Sequence, residues 1–329
     1  MSDKILGKPE PHSDVINKEP KTLLIGYGWV GQFVHRYFTQ ADYYTPNGGL
    51  MLRTIFSNAE PQYQRYERYD KEREKSLTTQ YSGEPIIPPV SWDLAFVNTP
   101  SPMNKDGSCD TSVVEGAVKQ WHKFVKLFVI RSTVVPGTID KLQKMYPDNL
   151  FVMQPEYVGE TLGHPLTDPD RQTFVIIGGT KEATKKAAEH WSKVLHAGAR
   201  IRQTDALTAE FCKYMENCFL ATKVIFVNDW ARLCRKAGVD YLELREAWLD
   251  DPRIGRSHTL AYEENPGFSG KCLPKDLNSI ASYARGIGEP LELVEAILEI
   301  NARMRKNCKN TVPLMPEPWN GNEKQKKEN

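Results

Sequence analysis

Hydrophobic positions along the chain alternate between short continuous runs and helical spacing. The first run, Thr22 to Ile25, stops at Gly26-Tyr27-Gly28-Trp29-Val30-Gly31, and apolar residues then recur at helical spacing through Phe38. Met51 to Phe56 is a second strand candidate, and the charge- and tyrosine-rich residues 59–83 are expected to form a surface helix with a loop. Strand signals follow over Asp93–Asn98, Lys126–Ile130, Leu150–Met153 and Phe174–Ile177. Between and after them lie helix signals over Thr111–Trp121, from Thr138, and beyond Gly178-Gly179 as far as Val194. This βαβ alternation predicts an α/β fold with a doubly wound parallel sheet.

The period changes at Thr204. From Asp205 to Ala237 no Pro or Gly interrupts, and Phe211, Met215, Phe219, Val224, Val227, Ala231 and Cys234 recur at helical spacing before Gly238 supplies the stop. Such a helix exceeds ordinary globular lengths and suggests packing against a partner. A helix over Tyr241–Leu249, a loop-like stretch over Asp251–Pro274, and helices near Lys275–Arg285 and Leu291–Lys306 complete the pattern.

Composition narrows the function classes. The 329 residues are 40% hydrophobic and 26% charged, with formal net charge +1, so no overall field draws the chain to nucleic acid or membrane. No run approaches the roughly 20 apolar residues that span a bilayer. The first twenty residues mix both charge signs with Pro and do not read as a signal peptide. Six cysteines without a CxxC pair argue against a disulfide framework or a zinc site, and a reducing cytoplasm fits them best.

G-x-G-x-x-G between a strand and a helix is a dinucleotide fingerprint. Its glycines allow a tight turn, close approach of backbone to pyrophosphate and an open helix N-terminus. The bland alternative is a Gly-rich βα turn with no ligand. The second strand candidate ends Phe56-Ser57-Asn58, without the Asp or Glu that usually accepts from the ribose hydroxyls, although Glu60 is near. The choice between NAD and NADP therefore stays open, with a lean to NAD.

Three further stretches each begin where a predicted strand ends: Val97-Asn98-Thr99-Pro100-Ser101-Pro102, Arg131-Ser132-Thr133-Val134-Val135-Pro136-Gly137-Thr138 and Gln154-Pro155-Glu156-Tyr157-Val158-Gly159-Glu160. Carboxyl ends of strands are where open α/β sheets bind ligands. Singly, each is equally a turn with a capping hydroxyl, and Glu156 and Glu160 would be solvated surface carboxylates. Lys213 and Asn217 lie four apart and share a helix face, which suits either an oxyanion or plain solvent. Cys272 is different in kind. It sits in a Gly-rich loop, beside Lys271 and Lys275, just before a helix whose N-terminus would stabilise a thiolate. The alternative is an inert thiol, with Asp276 a first-turn carboxylate favoured by the helix dipole.

Together and in this order, these stretches resemble the UDP-glucose and GDP-mannose dehydrogenase family, the UDP-glucose branch being nearest. The NTPSP run with Asp106-Gly107 and Asp110, RSTVVPGT, QPEYVGE, the helix Glu210–Asp229, Asp251-Pro252-Arg253-Ile254-Gly255 and GFSGKCLPKD carry the likeness, over residues 21–308. The resemblance implies a Rossmann-like NAD-binding domain over 21–203 and an all-helical central, dimerisation domain over 204–310. Flexible polar tails at 1–20 and 311–329 would flank them. It implies oxidation of the C6 alcohol of a UDP-sugar to a carboxylate, UDP-glucose to UDP-glucuronate being the best guess. Two NAD-dependent steps would run through a thiohemiacetal and a thioester on Cys272, without a metal.

In that scheme Lys213, Asn217, Thr133 and Asp276 position water and stabilise alkoxide charge, and Lys213 or Asp276 acts as base through a water. Glu156 serves acid–base steps that include thioester hydrolysis. Gly26, Tyr27, Gly28, Trp29, Val30, Gly31, Asn98, Thr99, Pro100, Ser132, Thr133, Glu160 and Lys275 would meet the cofactor. Glu156, Tyr157, Val158, Glu160, Lys213, Asn217, Arg253, Gly267 and Phe268 would meet the nucleotide sugar. The long helix would be a homodimer core.

Four departures stand out. Ser269 and Lys271 replace small residues of the family's cysteine loop, the Arg253-to-Cys272 stretch is longer than usual, and the fingerprint-to-NTP stretch is shorter. Family members also continue into a third domain that completes the nucleotide pocket. Three expectations therefore compete: a shortened enzyme, completed by a second chain or not; a two-domain dehydrogenase of a smaller hydroxy compound; and a catalytically silent NAD-binding partner of a full-length relative.

Overall fold

Four consecutive buried residues, Thr22–Ile25, form β1, the strand around which the sheet is wound. The computed structural model describes residues 20–46, 49–54, 62–66, 91–158, 173–306 and 308. β1 leads into α1 (Trp29–His35), β2 (Asp42–Thr45), β3 (Gly49–Thr54) and β4 (Gln62–Tyr66). Then come β5 (Trp92–Val97), α2 (Ser112–Trp121), β6 (Val125–Ile130), α3 (Thr138–Met145) and β7 (Leu150–Met153). β8 (Phe174–Gly179), α4 (Lys181–Trp191) and β9 (Arg200–Thr204) finish the nine-stranded sheet, in the order β4-β3-β2-β1-β5-β6-β7-β8-β9. The chain moves outward from β1 in both directions, so the crevice between the carboxyl ends of β1 and β5 is the switch point of the sheet.

Helices cover both faces, as a doubly wound sheet requires. Trp92, Trp121, Phe128 and Phe151 pack with α2 and α3 on one side, and Phe33, Phe38, Phe96 and Trp191 with α1 and α4 on the other. Strands buried on both faces are continuous apolar runs, which is why β5, β6 and β7 were legible.

Four sequence expectations are corrected. The strand after β1 is Asp42–Thr45, parallel to it, while Met51 belongs to β3, which runs antiparallel to β2. Four residues with Tyr44 alone buried show no period to read. Residues 62–66, expected in a helix, are strand β4, paired antiparallel with β3; the rest of that helix expectation lies outside the described residues. The sheet is mostly rather than wholly parallel, since β7 and β8 also run antiparallel. β9 was not foreseen, because none of its residues is buried.

The helical part begins with α5 (Ala206–Ala237), N-capped by Asp205, which accepts from Thr208 N at 2.8 Å, and closed by Gly238 in the left-handed region. α6 (Tyr241–Trp248), α7 (Leu273–Gly286) and α8 (Glu292–Arg305) follow. Tyr214, Ala221 and Ile225 of α5 share a core with Leu277 and Ile280 of α7 and Val294 and Ile297 of α8.

One charged residue lies in the buried stripe of α5. Glu210, 1% exposed, accepts from Gly137 N at 2.6 Å and Ile139 N at 2.9 Å, so it caps α3 from a neighbouring element. Burial pushes its carboxyl up to about 7, against those same hydrogen bonds. The folded state thus holds this proton more tightly than the unfolded chain, and stability should fall as pH rises from the ordinary carboxylate range through 7. Urea unfolding at pH 5 and 7.5 should show a drop on the order of 1–3 kcal/mol that is absent from Glu210→Ala, itself less stable by about 2 kcal/mol at pH 5.

Candidate active site

The glycines of the fingerprint divide the work by position. Gly26 sits at φ +88°, and a Cβ there would meet the Asn98 carbonyl oxygen at 2.7 Å. A Cβ on Gly31 would lie 2.2 Å from the Gly26 carbonyl oxygen, so the first turn of α1 folds directly onto the loop. Gly28 is exposed, with nothing within 4 Å of where a Cβ would stand. It is the N-cap of α1 and makes no side-chain cap, which leaves the space and the amide dipoles that a pyrophosphate needs. Across the crevice, the Asn98 Nδ2 donates to the Phe96 carbonyl oxygen at 3.3 Å, while the buried Asn98 Oδ1 has no hydrogen-bond partner. A buried acceptor beside an open helix N-terminus fits a bound dinucleotide that would supply the missing donor. Thr99 and Ser132 lie on this rim, the Ser132 hydroxyl donating to the Thr99 carbonyl oxygen at 2.7 Å. Tyr27 turns the other way and stacks on Tyr43, 4.0 Å between centroids.

A second cluster forms where α5 and α7 meet the ends of β6 and β7. The Lys213 ammonium donates to the Glu156 carbonyl oxygen at 2.5 Å and sits 5.5 Å from the Tyr157 ring centroid. Burial pulls the Lys213 pKa below its usual value, opposed by the charges of Asp276 and Cys272, so all three share one electrostatic site. Asn217 Nδ2 donates to Asp276 Oδ2 at 2.5 Å, and the Lys275 ammonium donates to Asp276 Oδ1 at 2.5 Å. Asp276 is 1% exposed, whereas Cys272 is exposed and belongs to no disulfide. Cys272 is the N-cap residue of α7, with Pro274 in the first turn, so its sulfur lies at the positive end of the helix dipole. Tyr214 fastens the parts together: its hydroxyl donates to the Val134 carbonyl oxygen at 3.0 Å and lies 2.9 Å from Ser279 Oγ.

The Glu156 carboxylate lies away from this cluster. It forms an ion pair with Arg131, 5% exposed at the end of β6, and accepts from the Val158 backbone N–H. Burial lowers the Arg131 guanidinium to about 9, which leaves it cationic at neutral pH. Among the described residues no group of three or more metal-ligating side chains is gathered.

The described residues thus hold an anion-ready fingerprint at the switch point and a helix-capping cysteine set among a buried lysine, an amide and a carboxylate. Residues 60–195 match the NAD binding domain of the UDP-glucose/GDP-mannose dehydrogenase family, and residues 207–303 its central domain. The chain belongs to that family. It is 31% identical over 223 residues to the UDP-glucose 6-dehydrogenase TuaD of Bacillus subtilis, a match covering 65% of this chain and 47% of that protein. With the UDP-glucose 6-dehydrogenase of Pseudomonas aeruginosa it shares 29% identity over 244 residues, 70% of this chain and 53% of that one. The chain therefore spans about half the length of the curated relatives it matches.

Among solved structures, a UDP-glucose dehydrogenase from Pyrobaculum islandicum superposes with TM-score 0.68 at 24% identity, covering 90% of this chain and 71% of that one. A 3-hydroxyisobutyrate dehydrogenase from Mycobacterium tuberculosis superposes with TM-score 0.58 at 14% identity over 88% of this chain and 94% of that one. These two likenesses speak for the fold. The cofactor of the family's N-terminal domain is NAD.

Within this member of the dehydrogenase family, some expected contacts stand elsewhere. Arg253 is exposed and paired with Asp251 of its own loop, Nη2 to Oδ2 2.6 Å. Phe268 is 4% exposed and belongs to the helical core, so only its backbone faces the loop. Trp29, Val30, Thr133 and Val158 are half-buried around the two clusters, and Pro100 is exposed at the rim. Glu160 lies outside the described residues.

Asn301 was not foreseen at all. From α8 it accepts from Phe268 N at 2.7 Å and donates back to the Phe268 carbonyl oxygen at 3.1 Å, holding the cysteine loop by its backbone. Gly267, at φ +76°, lies against it, since a Cβ there would stand 2.4 Å from Asn301 Oδ1. A buried Asn on an amphipathic helix was the one available signal. Asn301→Ala should lower stability by about 2–3 kcal/mol in urea unfolding and quicken alkylation of Cys272 by iodoacetamide as the loop loosens.

Proposed function

We propose that this chain oxidises the C6 alcohol of a UDP-sugar, best UDP-glucose, to the carboxylate through covalent intermediates on Cys272. The observation that carries the reading is the gathering of Cys272, Lys213, Asn217 and Asp276 around the N-terminus of α7. NAD, when bound, accepts a hydride in each of two oxidations. The fingerprint, Asn98, Thr99 and Ser132 would hold it.

The chain's own groups do the rest. Lys213, its pKa lowered by burial, or Asp276 through a water takes the proton of the C6 hydroxyl. The Cys272 thiolate adds to the aldehyde carbon, and the Lys213 ammonium with the Asn217 amide stabilises the alkoxide that results. Loss of hydride from this thiohemiacetal leaves a thioester. Water, held by Thr133 and Asp276, cleaves the C–S bond and returns the thiolate, while Glu156, whose carboxylate is paired with Arg131, meets Lys213 through its backbone carbonyl. Tyr157 and the loop up to Phe268 border the sugar's side of the cluster.

A homodimer through α5 accords with its outer face, where Met215, Phe219, Phe226 and Trp230 are 78%, 60%, 49% and 45% exposed at spacings of one helical stripe. Among the described residues no helix is long and apolar enough to cross a membrane.

The deciding assay follows reduced nicotinamide with NAD and either UDP-glucose or GDP-mannose. Two equivalents reduced per UDP-glucose support the reading. Binding of NAD with no turnover of either sugar nucleotide would instead support a catalytically silent NAD-binding partner of a full-length relative.

A further inference from the structure

Glu156 and Tyr157, consecutive residues beyond the end of β7, both reach the same side chain of α5. The Lys213 ammonium donates to the Glu156 carbonyl oxygen at 2.5 Å and lies over the Tyr157 ring, 5.5 Å from its centroid. Phe174, which opens β8, packs against that ring with centroids 5.3 Å apart, so the sheet backs it. Burial raises the Tyr157 phenol above its usual value, and it stays protonated at neutral pH. What Tyr157 offers the ammonium is therefore the negative face of its ring quadrupole, within the distance at which a cation is attracted. A carboxylate partner can take the proton of a lysine. A ring face attracts the cation and takes nothing from it.

We propose that Tyr157 is the positioning residue of Lys213, its ring face holding the ammonium in place and in the cationic form without capturing its proton. The proposal rests on the reaction assigned above to the Cys272 cluster, and adds to it the contact that aims the lysine. The charges that face Lys213 are those of Asp276, Cys272 and Lys275 from α7 and of Glu216 from its own helix. Burial pulls the Lys213 pKa down; Asp276, Cys272 and Glu216 oppose that fall, and Lys275 adds to it. In so close a balance the ring acts on the side of the acids. Lys213 has two duties in the proposed reaction, base for the C6 hydroxyl and cation for the alkoxide. A partner that favours the cation yet leaves its proton free serves both.

The test reads Lys213 directly, in the full chain and without substrate. Acetylation by trace acetic anhydride across a pH series, followed peptide by peptide in a mass spectrometer, reports how much of each lysine is the neutral amine. Tyr157→Leu, which keeps an apolar side chain but no π face, should acetylate Lys213 about 3- to 30-fold faster than wild type at neutral pH. Tyr157→Phe, which keeps the ring, should stay within about threefold of wild type. Phenylalanines carrying one, two and three fluorines at position 157 preserve the shape and drain the ring face stepwise, so the Lys213 rate should climb with each fluorine. Surface lysines serve as the internal control. A flat fluorine series overturns the proposal, and does so even if Tyr157→Leu fails to fold. A Phe rate matching the Leu rate overturns it too, since the phenol and not the ring would then be the contact. A rising series in a protein that turns over no sugar nucleotide leaves the hold of Tyr157 on Lys213 standing and removes the reaction. Turnover with a flat series does the reverse.

Discussion

Cys272→Ser is expected to stop the proposed acid formation while leaving the fold and NAD binding intact. The side chain is exposed and outside every core cluster, so its replacement removes no packing. Its chemistry is another matter. A thiolate is favoured at the N-terminus of α7 and by the nearby charge of Lys213, whereas a serine hydroxyl stays protonated there. Without the nucleophile, the aldehyde has no thiohemiacetal from which a second hydride can leave, and the overall rate of acid formation should fall by more than about 10³-fold. In a single-turnover assay the reduced nicotinamide per UDP-glucose should drop from two equivalents to one or fewer, with the thermal midpoint moved by under about 2 °C. A serine variant that still delivers both equivalents would show that the thioester has no part in the reaction.

How much of this was legible in the sequence depended on how each residue carries its signal. β5, β6 and β7 are continuous apolar runs, and the long Gly- and Pro-free α5 announces its own ends through Asp205 and Gly238. Residues that act by local motif were legible in the same way: the fingerprint glycines, and Cys272 before a helix start. β2 and β9 were not, because a half-exposed strand of four or five residues is held by its neighbours' hydrogen bonds rather than by its own pattern.

The sequence pattern puts the apolar stripe of α5 through Phe211, Met215, Phe219, Val224, Val227, Ala231 and Cys234; Val227, Ala231 and Cys234 are buried, but Phe211, Met215 and Phe219 are exposed. Over the first half of the helix the buried stripe runs instead through Ala206, Glu210, Tyr214, Asn217 and Ala221. Two periodic faces on one helix cannot be ranked from spacing alone, since the partner that covers each is named by tertiary structure. The polar residues on the inner stripe were the usable clue, for a Glu and an Asn at core spacing must find partners. Asn301 and Arg131 belong to the same class. Both are long-range tethers, and nothing adjacent in sequence declares the Phe268 backbone or the Glu156 carboxylate as their target.

Arg131→Met is expected to cost more stability than any other single change around the site, about 3–5 kcal/mol. Arg131 and Glu156 are 5% and 9% exposed and form an ion pair, while the Lys213 ammonium holds the backbone carbonyl of the same glutamate. Removing the guanidinium leaves a carboxylate with one backbone N–H for company, so its desolvation is no longer offset. Burial without a counter-charge would favour the protonated carboxyl in the variant, so its stability should decline as pH rises above the ordinary carboxylate range.

Replacing both partners separates the charge from the packing. A double Arg131→Met, Glu156→Gln change removes the stranded charge and should recover at least about half of the loss in urea unfolding. Arg131→Lys, which keeps the charge but not the forked geometry, should fall between wild type and Met. If Arg131→Met unfolds at the wild-type urea concentration, the pair carries no net stability, and Glu156 is held by its backbone contacts alone. Should the double change instead be as unstable as the single one, the loss lies in the packing of the Arg131 side chain at the end of β6 rather than in the stranded carboxylate.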